Sequence, residues 1–431
     1  MSAMDERTVG QAVADEHLER GNRQAQPDLL QPAKGVSLGR GAWRRLRRNR
    51  TAMVCLGVLI VIGLLAFFTP VLPLAPPDKH STDWQYQSPQ FKPLFRPTFE
   101  LDWQGIRTTP AAFSLARREL QAAEVRLKHM PRGSVPTTEA IAAAERVVRR
   151  KAAELRAIVL RPYRSAGFPD LGPLGRWLVR TRYRLFGQWT LGPVAGRDEF
   201  GRDVLSRVFW GARISIIVGI VATLVSLTIG VTYGALAGYV GGRFDELMMR
   251  FVDILYSIPF IFLVIFIITV LSQDDIKARL EDWGIGRITI FYFVVGAVYW
   301  LTMSRVVRGQ VISLRHEPFV EAARAVGASH LRIISQHILP NLLSVVIVYL
   351  TLTIPRVMLF EAFLSFLGLG VEPPDVSWGL LANEGIKVIT PVRIYWWLIV
   401  YPSAALGITL YALNFLGDGL RDALDPKLAP R

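Results

Sequence analysis

An all-α membrane protein with six transmembrane helices, carrying a helical insertion between the first and second, is the fold class the sequence predicts. Three features predict it. About 20 apolar residues are needed to cross a hydrocarbon core of ~30 Å, and six apolar runs approach or exceed that length. Arginines gather beside these runs in the alternating pattern of the positive-inside rule. The long interval between the first two runs is polar and holds two stretches rich in Ala, Glu, Arg and Leu, the composition of exposed helices.

Taken in order, residues 1–39 are polar and mixed in charge without apolar periodicity, which predicts a disordered cytoplasmic tail. The first apolar run starts far too late for a signal peptide. Arg40, Arg44, Arg45, Arg47, Arg48 and Arg50 stand directly before the run Ala52–Leu72, so residues 40–72 read as a basic anchor and first span with the N-terminus held in the cytoplasm. Residues 73–210 are expected outside the cytoplasm, since long translocated loops escape the charge rule. Within them Ala111–Met130 and Thr137–Leu160, joined by the turn-like PRGSVP, predict a helical hairpin over about 111–160, and Pro76–Pro110 reads as irregular packed structure.

A five-helix core over 211–416 follows, with spans at Ile214–Gly238, Phe251–Leu271, Ile288–Met303, Leu342–Leu367 and Tyr395–Leu416. Six crossings return the chain to its starting side, so the C-terminal residues 417–431 are expected in the cytoplasm. The loop 305–341 carries Arg305, Arg308, Arg315, Arg324 and Arg332, whereas 272–287 sets Lys277, Arg279 and Arg287 among Asp274, Asp275, Glu281 and Asp282, as a cytoplasmic and an outer loop should. Tyr395, Trp396 and Trp397 resemble an aromatic belt at the outer surface.

Composition narrows the function. Of 431 residues 51% are hydrophobic, and the mean hydropathy is +0.31, so the lipid bilayer is the chain's medium. The net charge of +15 belongs to arginines flanking spans rather than to a nucleic-acid module, so no nucleic-acid partner is expected. The single cysteine, Cys55, lies in the first span and excludes a disulfide framework or cysteine metal site within the chain. His316, His330 and His337 are spaced by 14 and 7 residues, unlike the close pairs of zinc sites. With no phosphate loop, nucleophile elbow or HExxH pattern, no catalytic residue, metal or cofactor is expected. ATP hydrolysis, if it powers this protein, belongs to another chain.

Some residues within the spans stand out. Gly230, Gly234 and Gly238 share one helical stripe and predict a close helix crossing. Arg356 and Glu361 lie inside the fifth span, where ionisable groups face a protein interior or a water-filled path; lining a cavity and satisfying each other or the backbone both remain open. Pro259, Pro355 and Pro402 should kink their helices, and Asp253 is expected at the interface.

The stretch 317–341 is polar yet lies between two spans. Phe319, Ala322, Ala323 and Val326 fall at i, i+3, i+4 and i+7, one face of a helix with Glu321 and Arg324 roughly opposite. Pro318 suits its first position and Gly327 the position after its end. About two turns are not stable alone, so the apolar stripe implies a docking partner.

Glu321-Ala322-Ala323, Gly327 after three intervening residues, and Leu339-Pro340 after eleven more resemble the EAA loop of membrane subunits in ATP-binding cassette importers. His337-Ile338-Leu339-Pro340-Asn341 is similar to the peptide branch. So are Gly201-Arg202-Asp203-Val204-Leu205-Ser206-Arg207, Gly238-Tyr239-Val240-Gly241-Gly242, Leu364–Gly370 and Asp418–Pro426. Over about 40–72 and 195–428 the chain resembles the second permease of dipeptide and oligopeptide importers. It departs at Arg197, where the family usually has Thr, and in its much longer extracytoplasmic region.

The resemblance implies a type I importer fold and a permease that forms half of a peptide path. It implies a second homologous permease subunit, two ATP-binding cassette ATPase subunits and an extracytoplasmic solute-binding protein as partners. The stripe of Phe319, Ala322, Ala323 and Val326 would fill a groove on an ATPase, and closure of the ATPases would pass to the spans as rigid-body motion. A nickel chelate or other peptide-like cargo, a self-contained secondary transporter or channel, and a sensor anchored by its spans are the alternatives at this level.

Overall fold

The computed structural model describes residues 38–424 apart from 93, 108–110, 130–134, 272, 274–275, 277–279 and 281–286. The predicted tail before residue 38, the hairpin turn 131–134, most of the loop 272–287 and the last seven residues therefore lie outside the described residues.

The chain begins with α1 (Leu38–Arg48) and α2 (Arg50–Phe68), divided at Asn49, whose side chain accepts the Ala52 N–H at 3.1 Å and caps α2. The basic anchor is thus an amphipathic helix. Ala42 and Leu46 pack against Leu420, Ala423 and Leu424 at the far end of the chain, leaving Arg44, Arg47 and Arg48 exposed.

Between the first and second spans lies the insertion: β1 (Phe95–Pro97), α3 (Trp103–Arg107), α4 (Ala111–Lys128), α5 (Val135–Ser165), α6 (Pro173–Phe186) and β2 (Trp189–Leu191). Helices α4 and α5 pack together, with the Lys151 ammonium bridging Glu119 at 2.7 Å and Glu154 at 2.9 Å. Strands β1 and β2 pair antiparallel, Phe95 opposite Leu191. The insertion has its own core of Phe99, Leu101, Leu160, Tyr163, Phe168 and Val179. Arg182 is buried in it, stacked 3.8 Å from the Phe99 ring, and donates to the Gly187 and Trp189 carbonyls at 3.0 Å each. Burial pushes its pKa down to about 10.

The membrane part holds α7 (Val204–Val240), α8 (Gly242–Ser257), α9 (Phe260–Leu271), α10 (Arg287–Leu314), α11 (Pro318–Ala325), α12 (His330–Ile333), α13 (Leu339–Phe366), α14 (Trp378–Lys387) and α15 (Trp397–Leu424). Five helical stretches are long and apolar enough to cross a membrane, and a sixth exists if α8 and α9 count as one bent span. The continuous span expected at Phe251–Leu271 is instead broken, its two helices meeting at 87°. Pro259 is the cause: the residue before a proline is driven to extended backbone, and Ile258 has φ −83° and ψ 126°. At 12 residues, α9 reaches only ~18 Å.

The span expected at Ile288–Met303 runs on as helix to Leu314. The arginines that marked this segment as loop are held on the helix by acids of α8. Arg308 is bidentate to Asp245 at 2.6 and 2.7 Å, and Arg305 meets Asp253 at 2.6 Å.

Helices α7 and α10 form the tightest crossing. A Cβ on Gly230 would stand 2.6 Å from the Met303 Cβ, one on Gly238 would stand 2.8 Å from the Arg308 carbonyl oxygen, and one on Gly234 would collide with the Ser304 carbonyl. Gly296 of α10 plays the reciprocal part, its missing Cβ only 2.7 Å from the Ala222 carbonyl oxygen. Backbones approach this closely only where side chains are absent.

Candidate functional site

Helix α11 is built with two apolar faces. Val320 is fully buried against Val307, Val311, Ile333, Ile338 and Leu342, and Ala323 and Leu339 pack on the same cluster. This face clamps α11 to α10 and α13. Phe319, Ala322 and Val326 are exposed, Val326 at 89%, and Leu331 of α12 adds another exposed side chain at 74%. The predicted stripe of four is therefore divided: Ala323 turns toward the protein's own core, and Phe319, Ala322 and Val326 face outward. Val320 and Leu331 were missed, although Val320 and Ala323 at i and i+3 already formed a second stripe.

Gly327 has φ +85°. Its N–H donates to the Arg324 carbonyl at 2.9 Å and the Ala328 N–H to the Ala323 carbonyl at 3.0 Å, which together make a Schellman end for α11. Glu321 is exposed. The Arg324 guanidinium lies 5.4 Å from the Tyr239 ring, whose hydroxyl meets His330 Nδ1 at 3.2 Å, so the end of α7 is tied to both short helices.

After α12 the helix widens for one turn. The Leu339 N–H reaches the Ile334 carbonyl, five residues back. Pro340 explains this: proline has no N–H and its ring crowds the carbonyl four residues earlier, a clash that a π turn relieves. From there α13 continues unbroken through Pro355.

Glu361 sits fully buried in α13 without Arg356. Its carboxylate accepts from the Ser365 hydroxyl at 2.7 Å and the Ser215 hydroxyl at 3.3 Å, and Ser215 Oγ in turn accepts the Trp378 N–H at 3.2 Å. The cluster joins α7, α13 and the start of α14, whose positive end favours a nearby acid. The Arg356 side chain is exposed on the outer face of α13 and has no acid partner among the described residues; only its carbonyl is engaged, by the Tyr299 hydroxyl at 3.3 Å.

At the insertion end, the loop 196–203 leads into α7. Asp198 accepts the Arg202 Nε at 2.7 Å, the Arg207 guanidinium at 2.8 Å and the N–H groups of Phe200 and Arg202 at 2.9 Å each. Arg207 also bonds Glu384, which ties the loop to α14. Arg197 is folded inward, donating to the Gly201 carbonyl at 2.8 Å, and its own carbonyl accepts from the Trp397 indole at 3.2 Å.

Asp203 caps α7 by accepting the Ser206 N–H at 2.7 Å, and burial pushes its pKa up to about 7. The folded chain therefore binds a proton that the unfolded chain, with a carboxyl near 3.8, has already lost. Stability from this group is greatest below pH ~4 and declines as pH rises to about 7. Asn caps as well as Asp, so melting temperatures of Asp203→Asn should exceed wild type at pH 8 by more than at pH 5. An equal difference at both would contradict a raised pKa.

The arrangement is that of a membrane subunit whose short helix α11 is clamped on one face and exposes an apolar second face. Comparison with known proteins identifies the family. Residues 230–430 match the model for binding-protein-dependent transport system inner membrane components, and residues 37–93 match the N-terminal transmembrane domain of oligopeptide transport permease C. The dipeptide transport system permease protein of Bacillus subtilis is 44% identical over 233 residues, 54% of this chain and 68% of the relative. The oligopeptide permeases of Haemophilus influenzae and Escherichia coli K12 are 47% and 45% identical, covering 54% and 55% of this chain and 70% and 73% of theirs. The chain belongs to the binding-protein-dependent transport permease family, in the branch of the dipeptide and oligopeptide permeases.

Proposed function

We propose that this chain forms half of the translocation path of an ATP-driven importer of di- or oligopeptides. A second, homologous permease supplies the other half, two ATPase subunits hydrolyse ATP on the cytoplasmic side, and a solute-binding protein delivers cargo on the insertion side. Both termini lie in the cytoplasm, as the arginines of α1 and of the α10–α13 connection require. Relatives named as peptide permeases support peptide over a nickel chelate.

The observation that carries this reading is the double face of α11. Val320 fixes the helix to the spans, and Phe319, Ala322, Val326 and Leu331 stay uncovered. A short helix free to swing would transmit nothing; one clamped on its inner face moves its spans when its outer face is pushed. The exposed stripe of α13 that contains Arg356, Leu359 and Phe363 is the face we assign to the second permease and the path. An arginine at that depth is costly against lipid and at home against water or an acid.

Purified from its native membrane, the chain should bring ATPase subunits with it. Phe319→Asp combined with Val326→Asp should weaken that association at least tenfold, about 1.4 kcal/mol, while the second permease stays bound. ATPases retained by the double variant, or absent from the wild type, would contradict the reading.

A further inference from the structure

Helix α6 presents an apolar stripe that nothing among the described residues covers. Leu174, Trp177, Thr181 and Leu185 fall at i, i+3, i+7 and i+11, on one line of the helix. Leu174 is 53% exposed, Trp177 59% and Leu185 66%, and Trp189 just beyond the helix is 53% exposed. The helix also carries Arg176, Arg180, Arg182 and Arg184 and no acid. Only its other side, with Leu178, Val179 and Arg182, belongs to the insertion core.

Both ends of α6 are held where the first span leaves the membrane. The Leu74 carbonyl, six residues past the end of α2, accepts from Arg182 at 3.5 Å, and the Pro73 carbonyl accepts the Leu191 N–H at 2.6 Å. At the other end Leu174 and Gly175 line a cavity of about 350 Å³ shared with Phe67 of α2 and Ile217 of α7. Ile217 opens the outward apolar row of α7 that continues through Ile220, Leu224 and Leu236. With 14 residues, α6 is ~21 Å long.

Arg213 lines the same cavity one turn before Ile217. Its guanidinium lies 4.8 Å from the Trp210 ring and meets no acid among the described residues. Of the two acids on the wall, Asp170 is bidentate with Arg164 at 2.6 and 2.8 Å, and Asp375 has no ion pair among the described residues.

We propose that α6 is an interfacial helix, its Leu174, Trp177 and Leu185 lying in the headgroup layer of the leaflet on the insertion side, and that the cavity at its start holds a phospholipid headgroup with the phosphate on Arg213. Trp and Leu on one face with arginines beside them is the composition of helices that rest in that layer, and an Arg–phosphate contact is a strong charge-assisted hydrogen bond. The insertion is thereby fixed to the membrane surface at its base.

The test uses the full chain in vesicles of phosphatidylethanolamine and phosphatidylglycerol. Spin labels are placed at Leu174→Cys, Trp177→Cys and Leu185→Cys in a Cys55→Ala background, with Leu115→Cys on α4 as reference. Collisions with oxygen should exceed those with a water-soluble nickel chelate several-fold at the α6 sites, and the order should reverse at Leu115. Chelate collisions as frequent as at Leu115 would overturn the proposal, as would protection from both reagents, which marks a protein partner. In native mass spectrometry of the purified complex, Arg213→Ala should lose a bound phospholipid that Arg213→Lys keeps. Equal retention in both would overturn the headgroup site.

Discussion

Proline at position 327 will abolish the coupling of ATP hydrolysis to transport while leaving the spans folded. Gly327 has φ +85°, and the proline ring fixes φ near −65°. Proline would also remove the N–H that bonds the Arg324 carbonyl at 2.9 Å, and would drive Val326 from its helical backbone. The Schellman end of α11 is lost, and the outer face no longer keeps its angle to Val320. Alanine provides a graded comparison. No atom stands within 4 Å of where its Cβ would lie, so the penalty is the left-handed backbone alone, about 1–2 kcal/mol. Peptide-stimulated hydrolysis by the reconstituted importer should fall to the basal rate in Gly327→Pro and only partly in Gly327→Ala, with the two permeases still co-purifying. Full stimulation in the proline variant would remove α11 from the coupling route.

Asp198→Ala should be the most destabilising single change at the insertion end. Its carboxylate is 5% exposed as a residue and holds Arg202 and Arg207, themselves 5% and 2% exposed. Removing one partner of a buried pair leaves uncompensated charge, about 3–5 kcal/mol. Glu384 remains on Arg207, and Asp78 and Glu384 each stand 3.6 Å from Arg202, which puts the expected loss at or below the lower end of that range. The Phe200 and Arg202 N–H groups lose their acceptor as well. Thermal unfolding of the purified chain in detergent should show a large drop in melting temperature. Asp198→Asn, which keeps an oxygen for the backbone donors, should fall between alanine and wild type. A melting temperature unchanged in Asp198→Ala would mean the arginines find water or other acids when unpaired.

Local signals were legible in the sequence and long-range ones were not. Apolar length announced five of the spans, Gly327 and Pro318 marked both ends of α11, and the Ala- and Glu-rich stretches gave α4 and α5. Pro259 was recognised as a kink, yet the full break between α8 and α9 depends on how the two helices pack. The polar segment after Met303 read as loop because its arginines suggested water; their acids, Asp245 and Asp253, come from another helix. Arg356 and Glu361 stood five residues apart in one span and invited pairing, but Glu361 takes Ser215 from α7, 146 residues away. Nothing local marks Ser215 as its partner. The same holds for Arg207 and Glu384, separated by 177 residues. The amphipathic character of α6 was present in its sequence but lay in a basic stretch read only as part of the insertion.

These contacts form a continuous mechanical route. The exposed face of α11 lies over Val320, which packs on the lower part of α13. That helix runs without interruption to Glu361 and Ser365, which bond to α7 and α14, and α14 is joined through Glu384 to the loop at the base of the insertion. On the proposed function, a push on α11 would pass along these packed helices toward the insertion side.

On the proposed function, α11 presents Val326 to an ATPase. A photo-activated cross-linking residue in place of Val326, which is 89% exposed, tests it in the assembled importer within native membranes. Irradiation should give a covalent adduct with an ATPase subunit, in a yield that changes when the complex is trapped with ATP. Adducts confined to lipid or to the second permease would contradict the claim.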